Sequence, residues 1–179
     1  ARLDMAEGDA RAYVLFAHCF TCSKNLKAVG HITTSLAKKG VSTLRFDFTG
    51  LGQSDGEFAN TNFSSNVEDL IAAAEFMERE YEAPSILIGH SLGGAAVRQA
   101  AHKLHSVSSV GAPSDPAHVK QNFSMKLDEI EETGEAQVTL AGRHFNIKKQ
   151  FLDDLESACS KEKIGALNRA LLVMHAPLD

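Results

Sequence analysis

Ser91 stands in the run Ile86-Leu87-Ile88-Gly89-His90-Ser91-Leu92-Gly93-Gly94, where three apolar residues lead into G-x-S-x-G and then into a helix-forming stretch. A serine at the bend between a buried strand and a helix has its hydroxyl lifted clear of the backbone, where it can attack a carbonyl carbon. The bend crowds the chain, so the positions two before and two after the serine must lack side chains, and Gly89 and Gly93 meet that demand. The start of the helix also leaves N–H groups without an intrahelical acceptor. Leu92 N–H is therefore expected to face the oxygen anion of a tetrahedral intermediate. Gly94, Ala95, Ala96 and Val97 are small enough to let this helix lie close on a sheet, and Ala100, Ala101 and Leu104 continue its apolar face. The bland alternative, a serine in a glycine-rich turn, leaves the strand before it and the helix after it unexplained.

The elements that must hold Ser91 alternate between short apolar runs rich in branched residues and stretches of helical periodicity, which predicts an α/β class with a doubly wound, mostly parallel sheet. Tyr13 to Ala17 reads as a strand. A helix follows with apolar positions Leu26, Val29, Ile32 and Leu36, ending at Gly40. Val41 to Phe48 reads as the next strand. Ser65-x-x-Glu68 has the form of a capping box and announces a helix that turns Val67, Leu70, Ile71, Ala74 and Met77 inward before Pro84. Ser106 to Val110 and Ala170 to His175 complete at least five strands. Between Pro113 and Gly165 the rhythm breaks, predicting a cap over 113–165 inserted in one domain spanning 1–179. Within it, Val138 and Leu140 alternate with polar neighbours, Ala141-Gly142 reads as a turn, and Phe145 and Ile147 alternate on the return, the pattern of a hairpin. Phe123, Met125, Leu127, Phe145, Ile147 and Phe151 would give this cap an apolar entrance, or simply pack it. Its acidic patch, Asp128 to Glu132, reads as a solvated helix face.

A chain of 179 residues with 44% hydrophobic content can bury a sizeable core. Its net charge of −5 argues against a nucleic-acid or anionic-membrane surface and leaves small molecules as the expected partners. There is no bilayer-length apolar stretch and no signal-peptide pattern, so the cytoplasm is the expected location, although Ala1 leaves room for an upstream segment. Three cysteines suit a reducing compartment better than a disulfide framework.

Several stretches, in order, resemble the α/β-hydrolase superfamily. Leu15-Phe16-Ala17-His18-Cys19-Phe20 corresponds to the family's strand ending in His-Gly-x, which implies that Phe20 N–H is the second oxyanion donor. Phe46-Asp47-Phe48-Thr49-Gly50-Leu51-Gly52-Gln53-Ser54-Asp55-Gly56 matches the family's Asp-x-x-Gly-x-Gly-x-Ser loop, which supports the floor of the site. More narrowly, Ala17 to Lys24, this loop, Asn60 to Ser65 and Gly111 to Val119 resemble bacterial hydrolases often fused to an OsmC-like domain. The resemblance implies a serine hydrolase of esterase or thioesterase type, acting on a small acyl substrate through an acyl-enzyme, with no metal or cofactor.

Such a serine needs a general base and an acid that orients it, and in this fold they follow the serine as acid, then histidine. Leu172-Val173-Met174-His175-Ala176-Pro177-Leu178-Asp179 puts Asp179 at the acid position, with Asp115 in reserve. The histidine is expected from a further loop. His175 is too near the acid, His90 adjoins the nucleophile, His18 belongs to the oxyanion loop, and His102 and His105 fall at the far end of the nucleophile helix. His31, His118 and His144 read as surface or cap residues. The expectation is therefore a fragment, cut at both ends, that lacks the C-terminal strand, helix and catalytic histidine and is close to inactive alone.

Two other classes remain in view. Cys19-Phe20-Thr21-Cys22 lies between a strand and a helix start, where a thiol's pKa falls, so Cys19 and Cys22 could serve a thiol-disulfide redox protein. A hydrolase fold acting only as a binding module is the third reading. A zinc site through His18, Cys19 and Cys22 lacks a second ligand cluster. A dinucleotide site at Gly50-x-Gly52 fails because Asp55 occupies the third glycine position.

Overall fold

The computed structural model describes residues 1–101, 106–158 and 164–176. Its strands are Arg2–Asp4 (β1), Ala12–Ala17 (β2), Val41–Arg45 (β3), Ile86–His90 (β4), Ser106–Val110 (β5), Glu135–Leu140 (β6), Arg143–Lys148 (β7) and Ala170–Met174 (β8). Its helices are Lys27–Ala37 (α1), Phe63–Glu80 (α2), Leu92–Ala100 (α3), Leu127–Thr133 (α4) and Lys149–Ser157 (α5).

The branched, apolar run from Val14 to Ala17 is buried along its whole length, as a strand covered on both faces must be. It sits inside a six-stranded sheet ordered β1-β3-β2-β4-β5-β8. β1 pairs antiparallel with β3, and the other pairings are parallel. From β2 the chain steps outward to β3, then returns past β2 to β4, so the winding direction reverses between β2 and β4. Right-handed crossovers then put α1 on one face and α2 with α3 on the other, and α2 does pack on α3. A crevice opens at such a reversal, outside the carboxyl ends of the two strands. The residues that follow β2 and β4 are Cys19, Phe20 and Ser91.

Local details depart from the sequence pattern for identifiable reasons. In α1 the buried residues are Val29, Thr33 and Ala37, while Ile32 is 37% exposed. Thr33 tolerates burial because its hydroxyl donates to Gly30 O at 3.2 Å. α2 is capped by Asn62, not by a Ser65–Glu68 box. Asn62 Oδ1 accepts from Ser65 N at 2.7 Å and Ser65 Oγ accepts from Asn62 N at 2.9 Å, so Ser65 is the returning partner. β3 stops at Arg45, short of Phe48, because the chain there leaves the ladder and Phe48 N donates to His18 Nε2 at 3.4 Å.

Between β5 and β8 the chain forms a tight helical turn over Pro116–Lys126, then α4, the β6–β7 hairpin and α5. The hairpin turns on Ala141 and Gly142 at φ 49° and 76°, the two positive angles that a two-residue connection requires. Ala136, Val138 and Leu140 point into the core on alternate positions. Phe123, Ile147 and Phe151 are buried too, so they pack this segment and do not line an entrance, whereas Met125 is 97% exposed. Among the described residues no helix is long and apolar enough to cross a membrane.

Candidate active site

Ser91 bridges β4 and α3 with φ 54° and ψ −123°, a conformation that side-chain-bearing residues avoid and that is retained only where the surroundings enforce it. The enforcement is visible. Ser91 N donates to Val110 O at 2.9 Å, and Gly94 N donates back to Ser91 O at 2.8 Å. A Cβ on Gly89 would lie 2.3 Å from Gly93 O, and one on Gly93 would lie 2.3 Å from His18 O. The glycines therefore let β4, α3 and the loop after β2 close on one another. Gly94 does the same against Ala112, whose Cβ would be 2.4 Å from its own. Ser91 itself stays half-buried, and Leu92 opens α3 with its N–H in the first turn.

The loop after β2 makes a four-residue turn, with Cys22 N donating to Cys19 O at 3.0 Å. The cysteine count favoured thiols, yet the structure joins Cys19 to Cys22 in a disulfide, because the turn brings their Cα atoms to 5.4 Å. Phe20, within this turn, packs its ring on Phe58, Phe123 and Phe151 at centroid distances of 5.7, 6.2 and 5.4 Å. The loop is thereby tied to the segment inserted between β5 and β8.

Below the turn lies a buried polar hub. Asp47 accepts from Lys24 N at 2.6 Å and from Gln53 N at 3.1 Å, and its other strong partner is the Lys24 ammonium, which also donates to Gln53 Oε1 at 2.8 Å. Gly52 is required here, since a Cβ would meet the Asp47 carboxylate at 2.4 Å. Arg45 extends the hub by donating to Lys24 O at 2.7 Å and to Asp4 at 2.7 Å. His18, buried beside it, bonds Cys19 O through Nδ1 at 2.8 Å.

These contacts make stability fall with acid in two stages. Burial holds the His18 ring below the usual imidazole range, more than its bond to Cys19 and the nearby Asp47 raise it. Its folded value lies below the unfolded one, so the unfolded chain binds the extra proton and stability declines as pH falls below about 6.5. Burial alone would raise the Asp47 carboxyl, but its bonds to Lys24 and Gln53 outweigh that and hold it below the usual range. Its contribution is complete above about pH 3.9 and is lost as pH falls through its lower folded value. Melting temperature should drop between pH 7 and 5, and His18→Asn should flatten that slope; an unchanged slope would contradict the neutral buried ring.

Two open clefts meet at Ser91. One, of about 370 Å³, is lined by Cys19, Phe20, His90, Asn122, Leu140 and Ala141. The other, of about 670 Å³, is lined by Leu92, Ser114, Asp115, His118, Asn122 and His175. Phe20, Leu92, His90, Cys19 and Ser91 are thus brought together, while Gly89 and Gly93 lie under the bend. Asp115 reaches the larger cleft, but its carboxylate caps Ala117 N at 3.0 Å. His118 and His175 are exposed on that cleft, and His31 and His144 are exposed elsewhere. Asp179, His102 and His105 lie outside the described residues. Sequence reasoning missed Asn122, Leu140 and Ala141 at the clefts and the burial of Lys24, which no local pattern signals. Among the described residues, no group of three or more His, Cys, Asp or Glu side chains could hold a metal ion.

Proteins of known structure share this fold. A domain of solved structure, the esterase domain of a Rhodothermus marinus protein, is 46% identical, superposes with a TM-score of 0.72, and is matched over 99% of this chain and 70% of that one. Est1E from Butyrivibrio proteoclasticus, solved with ferulic acid bound, shares the fold at 18% identity and a TM-score of 0.69, over 99% of this chain and 85% of its own. The mouse (Mus musculus) palmitoyl-protein thioesterase ABHD10, mitochondrial, is 30% identical over 132 residues, which cover 67% of this chain and 42% of that protein. The chain therefore spans less than half the length of this curated relative. The family model described as serine aminopeptidase, S33 (Hydrolase_4), matches residues 8–120, a stretch that includes the loop after β2, the Asp47 hub and the bend at Ser91, and the chain accordingly belongs to this family of α/β hydrolases.

Proposed function

We propose that the protein is an esterase or thioesterase that transfers a small acyl group through Ser91. A histidine takes the Ser91 proton as the oxygen attacks the acyl carbon, and the alcohol or thiol leaves with that proton. Phe20 and Leu92 N–H receive the oxyanion. Water, deprotonated by the same histidine, then releases the acid. Asp179 orients the histidine, and the part of that base is assigned to none of the eight histidines in this sequence.

The observation that carries this reading is the strained backbone of Ser91 at the junction of two clefts. The Rhodothermus marinus esterase domain and the mouse thioesterase favour ester and thioester bonds over the peptide bonds suggested by the family description. The same reading has the protein act in the cytoplasm on small molecules rather than nucleic acid or membranes, beside or fused to an OsmC-like domain.

The full-length protein should hydrolyse p-nitrophenyl acetate and short acyl-coenzyme A thioesters and leave aminoacyl p-nitroanilides untouched. Turnover of the anilides alone would overturn the assignment in favour of an aminopeptidase.

A further inference from the structure

We infer that the Cys19–Cys22 disulfide is a positioning element of the oxyanion loop, so that the oxidation state of this pair sets the rate of acyl transfer at Ser91. The inference rests on the hydrolase reading above and adds to it a residue pair that does no chemistry on the substrate.

Thr21 is the strained residue of the loop. It is the third residue of the turn closed by Cys22 N and Cys19 O, and its φ is 62°. That position with positive φ belongs to glycine or asparagine, and a β-branched residue holds it only under constraint. The disulfide spans these same four residues and is the covalent constraint across them. Thr21 is also buried, whereas Cys19 and Cys22 are half-exposed, and Cys19 lines the smaller cleft together with Ser91. A thiol reagent can therefore reach the bond that fixes the turn.

The downstream end of the loop is pinned independently by Lys24 on Asp47, and the Phe20 ring by Phe58, Phe123 and Phe151. Opening the disulfide leaves both anchors in place and frees the backbone of the turn from Cys19 to Cys22, which carries the Phe20 amide. An oxyanion donor acts only when held within a fraction of an ångström of its place, so the loss appears in kcat and not in substrate binding. The chemistry is thiol–disulfide exchange. A dithiol reductant supplies two electrons and two protons, is itself oxidised to a disulfide, and leaves two cysteine thiols. Glutathione disulfide reverses the change by becoming two equivalents of glutathione.

The test uses full-length protein, with Cys19 and Cys22 reduced by dithiothreitol and counted by iodoacetamide mass tagging. On p-nitrophenyl acetate, kcat should fall about tenfold or more on reduction with KM within about twofold, and glutathione disulfide should restore it. Cys19→Ala/Cys22→Ala should match the reduced enzyme and ignore reductant. Thr21→Gly, which takes the same turn without constraint, should recover much of kcat in the reduced state. That rescue is one a merely stabilising disulfide would not show. Equal kcat in both redox states, or a double variant as fast as the oxidised enzyme, overturns the inference while leaving the hydrolase intact. If no Ser91-dependent turnover occurs in either state, the hydrolase reading fails and takes this inference with it.

Discussion

Ser91→Ala should reduce ester turnover by the full-length protein about 10⁴-fold or more, with melting temperature nearly unchanged. In the proposed mechanism this substitution removes the attacking oxygen, and what remains is whatever binding and the two proposed amide donors give to direct attack by water. The magnitude separates a nucleophile from a substrate-positioning hydroxyl, whose loss costs one or two powers of ten. A second substitution reads the backbone. Alanine at φ 54° carries the same conformational penalty as serine, whereas glycine adopts that angle freely. Ser91→Gly should therefore be equally inactive yet more stable than wild type, by about 1 kcal/mol. A functional site that holds strain shows this inverse relation between activity and stability, and an ordinary turn serine would show neither effect.

Lys24→Met should be the most damaging substitution away from Ser91. It leaves the Asp47 carboxylate, whose side chain is 1% exposed, without its countercharge. Breaking a buried pair from one side costs about 3–5 kcal/mol, because the remaining ion is neither solvated nor neutralised. For a chain of this size that corresponds to a fall in melting temperature of about 6–20 °C. Two backbone amides, Lys24 N and Gln53 N, still reach Asp47, which favours the lower end. Adding Asp47→Leu should recover part of the loss, since an apolar pair no longer buries a charge. A melting temperature unchanged by Lys24→Met would mean that the ammonium contributes nothing beyond its surface equivalent.

The bend at Ser91 was legible in the sequence because its geometry admits no substitute: Gly89 and Gly93 each face a backbone oxygen where a Cβ would fall at 2.3 Å. Steric demands of that kind write themselves into residue types. The parallel sheet was legible for a similar reason, since Val14 to Ala17 must be apolar on both faces. The hairpin was marked by strict alternation and by Ala141-Gly142.

What the sequence hid depends on contacts made at a distance. No local pattern marks Lys24 as buried, and only the fold brings Asp47 to it. Cys19 and Cys22 are three apart, a spacing that permits a thiol pair as readily as a bond, and the turn decides between them. Asn122, Leu140 and Ala141 approach Ser91 only because the insertion docks through Phe123 and Phe151 onto Phe20. In α1, a rotation of one position exchanges Ile32 for Thr33 on the buried face, a shift that a short helix with four apolar residues does not exclude. Asn62 displaced Ser65 as the cap since both residue types cap helices, and the better placed one prevails.

The most direct test of the account is the site of covalent capture. The full-length protein, treated with a fluorophosphonate and digested, should yield one modified peptide, with the phosphonyl group on Ser91 Oγ. An adduct on any other residue, or an intact Ser91 after prolonged exposure to the reagent, would contradict the claim that this bend presents a nucleophile.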